Sequence, residues 1–120
     1  MPDRAVLVVD DDPLILQMVS EILTDEGYQV EQAHSALEAM RSVARTHPQL
    51  VLLDIRMPGL DGSQFARELK GHDTSVKILV MTAASQAKHW ADEIGANGYI
   101  EKPFEVDELV KSVAKALGGS

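Results

Sequence analysis

Ala5-Val6-Leu7-Val8-Val9-Asp10-Asp11-Asp12-Pro13 is the stretch on which the fold turns. Five successive apolar residues with no polar alternation suit a strand covered on both faces, as in a parallel sheet. The run stops at three aspartates, and Asp12 before Pro13 reads as a helix N-cap followed by its first residue. Past Pro13, Ile15, Val19, Ile22 and Leu23 recur at helical spacing, and Gly27 sits where that helix should stop.

The same unit returns along the chain. Apolar runs at 50–53 and 78–81 repeat the buried-strand pattern, with weaker candidates at 28–33 and 98–100. Leu37, Met40, Val43 and Ala44 form a second helical stripe, and Phe65, Ala66 and Leu69 a third. Val106, Leu109, Val110, Val113 and Leu117 form the last and clearest. Ser35 with Glu38 is a capping box, Asp61 caps the third stripe, and Gly71 and Gly95 read as stops. In the last stripe Asp107 and Glu108 precede Lys111 and Lys115, which complements the helix dipole. The order is therefore βαβαβαβαβα. Short right-handed crossovers turn that order into an α/β, doubly wound, five-stranded parallel sheet.

Composition bounds the rest. A chain of 120 residues is expected to form one domain over 1–120, with Gly118-Gly119-Ser120 reading as the start of a linker. Hydrophobic residues at 45% and charged residues at 25% are ordinary for a packed domain. Nineteen acidic against 11 basic residues give a net charge of −8, which argues against direct nucleic-acid binding. The lack of cysteine excludes disulfides, thiolate metal sites and a Cys nucleophile. No apolar run is long enough to span a membrane. Met1-Pro2-Asp3-Arg4 leads straight into the first strand, unlike a signal peptide. A cytoplasmic location is expected.

Asp10, Asp11, Asp54, Thr82 and Lys102 all follow apolar strand runs. In an open parallel sheet the carboxyl ends of the strands share one edge, and ligands bind there where the strand order reverses. Carboxylates gathered at that edge repel one another, by roughly 4 kcal/mol per pair at ~4 Å and an effective dielectric of about 20. A proton, a cation or Lys102 must offset the repulsion. Oxygen ligands without His or Cys suit a hard divalent ion, and two or three carboxylates plus water suit Mg²⁺ better than Ca²⁺. Helix capping suffices to explain Asp12. It does not explain Asp10, Asp11 and Asp54, whose placement follows from topology.

Four segments then point to a family: Val8-Val9-Asp10-Asp11-Asp12-Pro13, 52–62 (Leu-Leu-Asp-Ile-Arg-Met-Pro-Gly-Leu-Asp-Gly), Val80-Met81-Thr82-Ala83 and 98–104 (Gly-Tyr-Ile-Glu-Lys-Pro-Phe). Together and in this order they resemble the receiver domain of two-component response regulators over essentially the whole chain. The resemblance implies flavodoxin-like topology with strand order 2-1-3-4-5, which brings Asp10 and Asp11 beside Asp54. It implies Asp54 as phosphoacceptor, charged by a sensor histidine kinase or a histidine phosphotransfer protein. Asp11 and Asp54 are then direct Mg²⁺ ligands, Asp10 acts through water, and the Arg56 backbone carbonyl is the remaining protein ligand. Thr82 and Lys102 are implied to bind the phosphoryl oxygens, and Tyr99 to be the switching aromatic. The output passes to a downstream effector protein or a fused output domain, through the face of helix four, strand five and helix five. Self-phosphorylation and slow autodephosphorylation are implied, without turnover of an external substrate, in a monomer or weak dimer.

Signalling needs more than one bond. A hydrogen bond to a charged group contributes about 1.5–3 kcal/mol, whereas moving a population from 1:99 to 99:1 takes about 5.5 kcal/mol. Thr82, Lys102 and a rearranged loop after strand four are therefore expected to act together, with Tyr99 turning inward. Two departures from the family pattern stand out. The stretch 82–95 is a couple of residues short, so either the loop or the fourth helix is truncated, and the usual dimer surface is not to be assumed. Glu105 stands where a better N-cap is common. Met57-Pro58-Gly59 is turn chemistry, and Lys102-Pro103 is expected to be cis. Arg56 and Ala84, each two residues past a key position, flank the path of attacking water. Trp90 is expected to pack partly into the core, and His34, His47, His72 and His89 to lie on the surface without metal spacing.

Three rival readings make different demands. A Mg²⁺-dependent phosphohydrolase with an aspartyl nucleophile needs a second acid where this chain has Arg56. A flavin-binding protein of this topology wants a Ser/Thr/Gly phosphate loop where Asp10, Asp11 and Asp12 stand. A scaffold that is never phosphorylated has no use for the full acceptor set.

Overall fold

Buried runs and amphipathic stripes assemble, in the computed structural model, into one parallel sheet between two helical layers. Residues 5–73 and 75–118 are described, Ala84 by its backbone alone. The readings made on residues 1–4, on 119–120 and on the Ala84 side chain lie outside them. The elements are β1 (Ala5–Val9), α1 (Pro13–Asp25), β2 (Gln29–Ala33), α2 (Ala36–Thr46), β3 (Leu50–Asp54), α3 (Gly62–His72), β4 (Lys77–Ala83), α4 (Ala84–Ile94), β5 (Gly98–Lys102) and α5 (Val106–Ala116). The strands are all parallel in the order β2-β1-β3-β4-β5, as expected.

Burial follows position in the sheet. Every residue of β3 and the inner five of β4 are buried, while β2 and β5, at the edges, keep polar residues half in water. Side chains alternate between the two faces. Leu7, Val9, Val51, Leu53, Ile78 and Val80 meet α2, α3 and α4. Val6, Val8, Leu50, Leu52, Leu79 and Met81 meet α1 and α5. Ile78 is fully buried among the first set. Ile78→Val is expected to lower unfolding free energy by about 0.5–1.5 kcal/mol in urea titration, with an unchanged slope.

Three stripes differ from expectation in detail. In α1 the buried residues are Leu16, Val19 and Leu23, with Ile15 and Ile22 on the flanks. In α2 the inward row is Ala36, Ala39, Met40 and Val43, so Leu37 is 61% exposed and Ala44 is exposed. In α5 Leu109 and Val113 are buried, but Val106 is 53% exposed. Helical side chains lean toward the N-terminus, and at the first residue of α5 that direction leads off the helix.

Caps hold the helix starts. The Asp12 carboxylate accepts from Leu14 N at 2.9 Å, Ser35 Oγ from Glu38 N at 3.1 Å and Asp61 from Gln64 N at 3.1 Å. Glu105 N donates to Glu108 Oε1 at 2.8 Å, so the start of α5 is held from its third residue rather than being weak. Gly95 closes α4 at φ 71°, a left-handed position suited to glycine. Gly71 does not stop α3, which runs on to His72. His47 instead takes the left-handed cap of α2, at φ 49°. Among the described residues no helix is long and apolar enough to cross a membrane.

Candidate functional site

The strand order places the carboxyl ends of β1, β3, β4 and β5 side by side, and the expected site residues gather there. Asp10 directly follows β1. Asp54 and Lys102 are the last residues of β3 and β5 rather than the first beyond them, and Thr82 lies inside β4. The extension of β4 and β5 comes from pairing: Thr82 is opposite Glu101 and Ala83 opposite Lys102.

Asp10 is fully buried, Asp54 is 5% exposed, and Asp11 is exposed to solvent. Each offers a carboxylate oxygen, and these oxygens lie within 4.8 Å of one another. Lys102 reaches in from the opposite side, its Nζ 2.8 Å from Asp10 Oδ2 and 3.5 Å from Asp54 Oδ2. The other Asp10 oxygen accepts from Asp12 N at 3.0 Å, and Asp54 Oδ1 accepts from Arg56 N at 2.9 Å. Asp10 is thus committed to Lys102 and the backbone, while Asp11 faces water. The Lys102–Pro103 peptide bond is cis, as expected.

Burial is the leading cause that raises the Asp54 carboxyl above its ordinary range. The Arg56 N–H pulls it back, Asp10 pushes it up again, and Lys102 opposes, with a net upward shift. For Lys102 burial works against the charge, but the hydrogen bond to Asp10 and the charges of Asp54 and Asp10 outweigh it and raise the ammonium. Three carboxylates stand against the one ammonium of Lys102, so the cluster carries an excess of negative charge. It has room in its chemistry for one more cation.

Thr82 is 1% exposed, and among the described residues its Oγ1 has no hydrogen-bond partner. A buried hydroxyl left unpaired costs about 1–3 kcal/mol. Thr82→Val is accordingly expected to stabilise the resting fold by about 1 kcal/mol in urea titration. A hydroxyl kept at that cost is available to an incoming acceptor. Tyr99 is 39% exposed, on β5 opposite Val80.

The junction after β4 differs from expectation. β4 ends at Ala83 and α4 begins at Ala84, so the two meet without a loop, and there is no loop here to rearrange. The helix has 11 residues. Its N-cap is Ala83, which provides no side-chain cap. Arg56 reaches across to it, with NH1 donating to Gln86 Oε1 at 2.9 Å. No sequence signal marked Gln86, which is 30 residues away from Arg56. Trp90 is half-buried against the core as expected, and all four histidines are exposed, with His47 and His72 stacked at 6.0 Å between ring centroids.

Known proteins resemble this chain in sequence and in fold. The family model for the response regulator receiver domain matches residues 6–114. The chain is 35% identical to the sporulation initiation phosphotransferase F of Bacillus subtilis over 119 residues, 98% of this chain and 96% of that protein. It is 37% identical to the response regulator MprA of Mycobacterium tuberculosis over 93% of this chain but 50% of that longer protein. Among solved structures, the receiver domain of NtrX from Brucella abortus superposes with a TM-score of 0.87 at 34% identity, over 96% of this chain and 99% of that one. The chemotaxis protein CheY4 of Vibrio cholerae gives 0.86 at 30% identity, over 96% and 99%.

Proposed function

Since the chain belongs to the response regulator receiver domain family of two-component signalling, we propose that Asp54 accepts a phosphoryl group from a phosphohistidine on a sensor histidine kinase or a histidine phosphotransfer protein. The observation that carries this reading is the buried Asp54 carboxylate, with Asp10 and Asp11 oxygens within 4.8 Å and the Lys102 ammonium 3.5 Å from its Oδ2. In the transfer a carboxylate oxygen of Asp54 bonds to phosphorus as the P–N bond breaks. The imidazole nitrogen keeps the electron pair and takes up a proton. Hydrolysis later breaks the new P–O bond and returns the carboxylate with inorganic phosphate. No external substrate is turned over.

Three carboxylates with no nitrogen or sulfur donor fit Mg²⁺. Asp11 and Asp54 would hold it directly, Asp10 through water, and the Arg56 carbonyl would complete the protein ligands. When bound, the ion screens the approach of two anions and stabilises charge on the transferring oxygens. Lys102 places a point charge on the phosphoryl group, and the unpaired Thr82 hydroxyl donates to one of its oxygens. Tyr99 then turns inward and alters the surface of α4, β5 and α5. An effector protein or fused output domain in the cytoplasm reads that surface.

Incubation with acetyl phosphate and Mg²⁺, followed by intact mass and peptide mapping, tests the proposal. One phosphoryl group on the peptide carrying Asp54 is expected. An unmodified chain under saturating conditions would return the domain to the scaffold reading.

A further inference from the structure

Arg56 is tied to the candidate site by its backbone and to α4 by its side chain. Its N–H donates to Asp54 Oδ1 at 2.9 Å, while its guanidinium donates to Gln86 Oε1 at 2.9 Å. Gln86 is the third residue of α4, where Gln commonly turns back to cap the helix start. Here that side chain is committed outward instead, and Ala83 supplies no cap of its own. The first turn of α4, joined to β4 without a loop, is thus braced by Arg56. Among the described residues the Arg56 guanidinium pairs with no carboxylate, so its charge is held by a neutral amide oxygen.

We propose that Arg56 is a further phosphoryl-binding residue and Gln86 its positioning residue. Gln86 holds the guanidinium while Asp54 is a carboxylate and yields it when Asp54 carries a phosphoryl group. The inference rests on the reading of Asp54 as phosphoacceptor. A phosphoryl dianion accepts charge-assisted hydrogen bonds roughly twice as strong as those to a neutral amide, and the fork of Arg fits it bidentately. The Arg56 backbone already lies against the Asp54 carboxylate on which that group would be built. Once Arg56 turns, Gln86 loses its partner and the first turn of α4 loses its brace. Coupling from Asp54 to α4 then runs through this hydrogen bond as well as through Thr82, in a chain that has no loop there to move.

Amide hydrogen exchange over the first two turns of α4, measured with and without acetyl phosphate and Mg²⁺, tests the latch. Intact mass records the adduct in each sample. Wild type is expected to exchange several-fold faster there once phosphorylated. Arg56→Ala and Gln86→Ala should show the faster exchange already in the resting state, gain little on phosphorylation, and be no faster when combined. Gln86→Glu, which offers Arg56 a carboxylate, should move the other way and blunt the response. A residue serving structure alone would not produce opposite signs in the Ala and Glu variants. An adduct in every sample with a response in Arg56→Ala and Gln86→Ala equal to wild type overturns the latch and leaves the Asp54 reading intact. Failure of wild type to form any adduct overturns both.

Discussion

Asp54→Asn is expected to abolish the phosphoryl adduct completely and, in the same protein, to raise the melting temperature. The two effects have one cause. Asp54 is held 5% exposed with Asp10 at its side, and burial leads the causes that raise its carboxyl above the ordinary range. A group whose folded pKa lies above its unfolded value favours the fold most when protonated, and that contribution is lost as pH rises through the folded pKa. At neutral pH the ionised carboxylate is therefore a net cost to the resting fold. Asn keeps the shape and the acceptor for Arg56 N while removing both the charge and the nucleophile. The stability gain should be present at neutral pH and shrink as pH falls through the folded Asp54 pKa, where the wild-type carboxyl protonates. Thermal melts across pH, read beside intact mass after acetyl phosphate treatment, check both halves. An Asn variant that melts below wild type at neutral pH would contradict the electrostatic account, and one that still carries the adduct would remove Asp54 as acceptor.

The shared edge was legible because it follows from a parallel sheet, whereas the strand order that sets Asp10 and Asp11 beside Asp54 came with the family resemblance. Once 5–9, 50–53 and 78–81 read as buried strands and 98–100 as a weaker one, the residues at or just past their carboxyl ends had to share an edge, whatever side chains they carried. That reasoning found Asp10, Asp54, Thr82 and Lys102, and its errors there were of a residue or two. Pattern alone could not know that pairing of Ala83 with Lys102 carries β4 past Thr82. Helix faces were less legible where a stretch holds more apolar residues than its face needs. Leu37 and Ala36 compete for one row in α2, and alanine packs inward because the larger side chain is one step off the stripe. The short 82–95 stretch announced lost length without saying where. In the structure β4 runs directly into α4, and the side chain that reaches the first turn of α4 is that of Arg56, distant in sequence and without any local signal.

Lys102→Met, which keeps the length of the side chain and deletes its charge, is expected to lower unfolding free energy by about 3 kcal/mol in a chelating buffer. Lys102 Nζ is 2.8 Å from Asp10 Oδ2, and Asp10 is fully buried with Asp54 nearby. Removing one partner leaves a buried charge uncompensated, which is far more costly than losing a pair from the surface. Lys88 and Asp92 form such a surface pair at 2.8 Å, with side chains 73% and 69% exposed, so Lys88→Met should leave stability unchanged within error. The folded Lys102 ammonium titrates above its ordinary value, so its contribution stands at neutral pH and is lost as pH rises through the folded pKa. At the acid end the loss in Lys102→Met should also fade, once protonation removes the carboxylate charges that Lys102 offsets. Mg²⁺ supplies the sharper test. A cation that binds the folded cluster stabilises it by mass action, and without the competing ammonium the acids should bind that cation more tightly. The unfolding midpoint of Lys102→Met should therefore climb more steeply with Mg²⁺ than that of wild type, recovering part of the deficit. Parallel climbs in the two proteins would mean that Lys102 and the metal do not act on the same carboxylates.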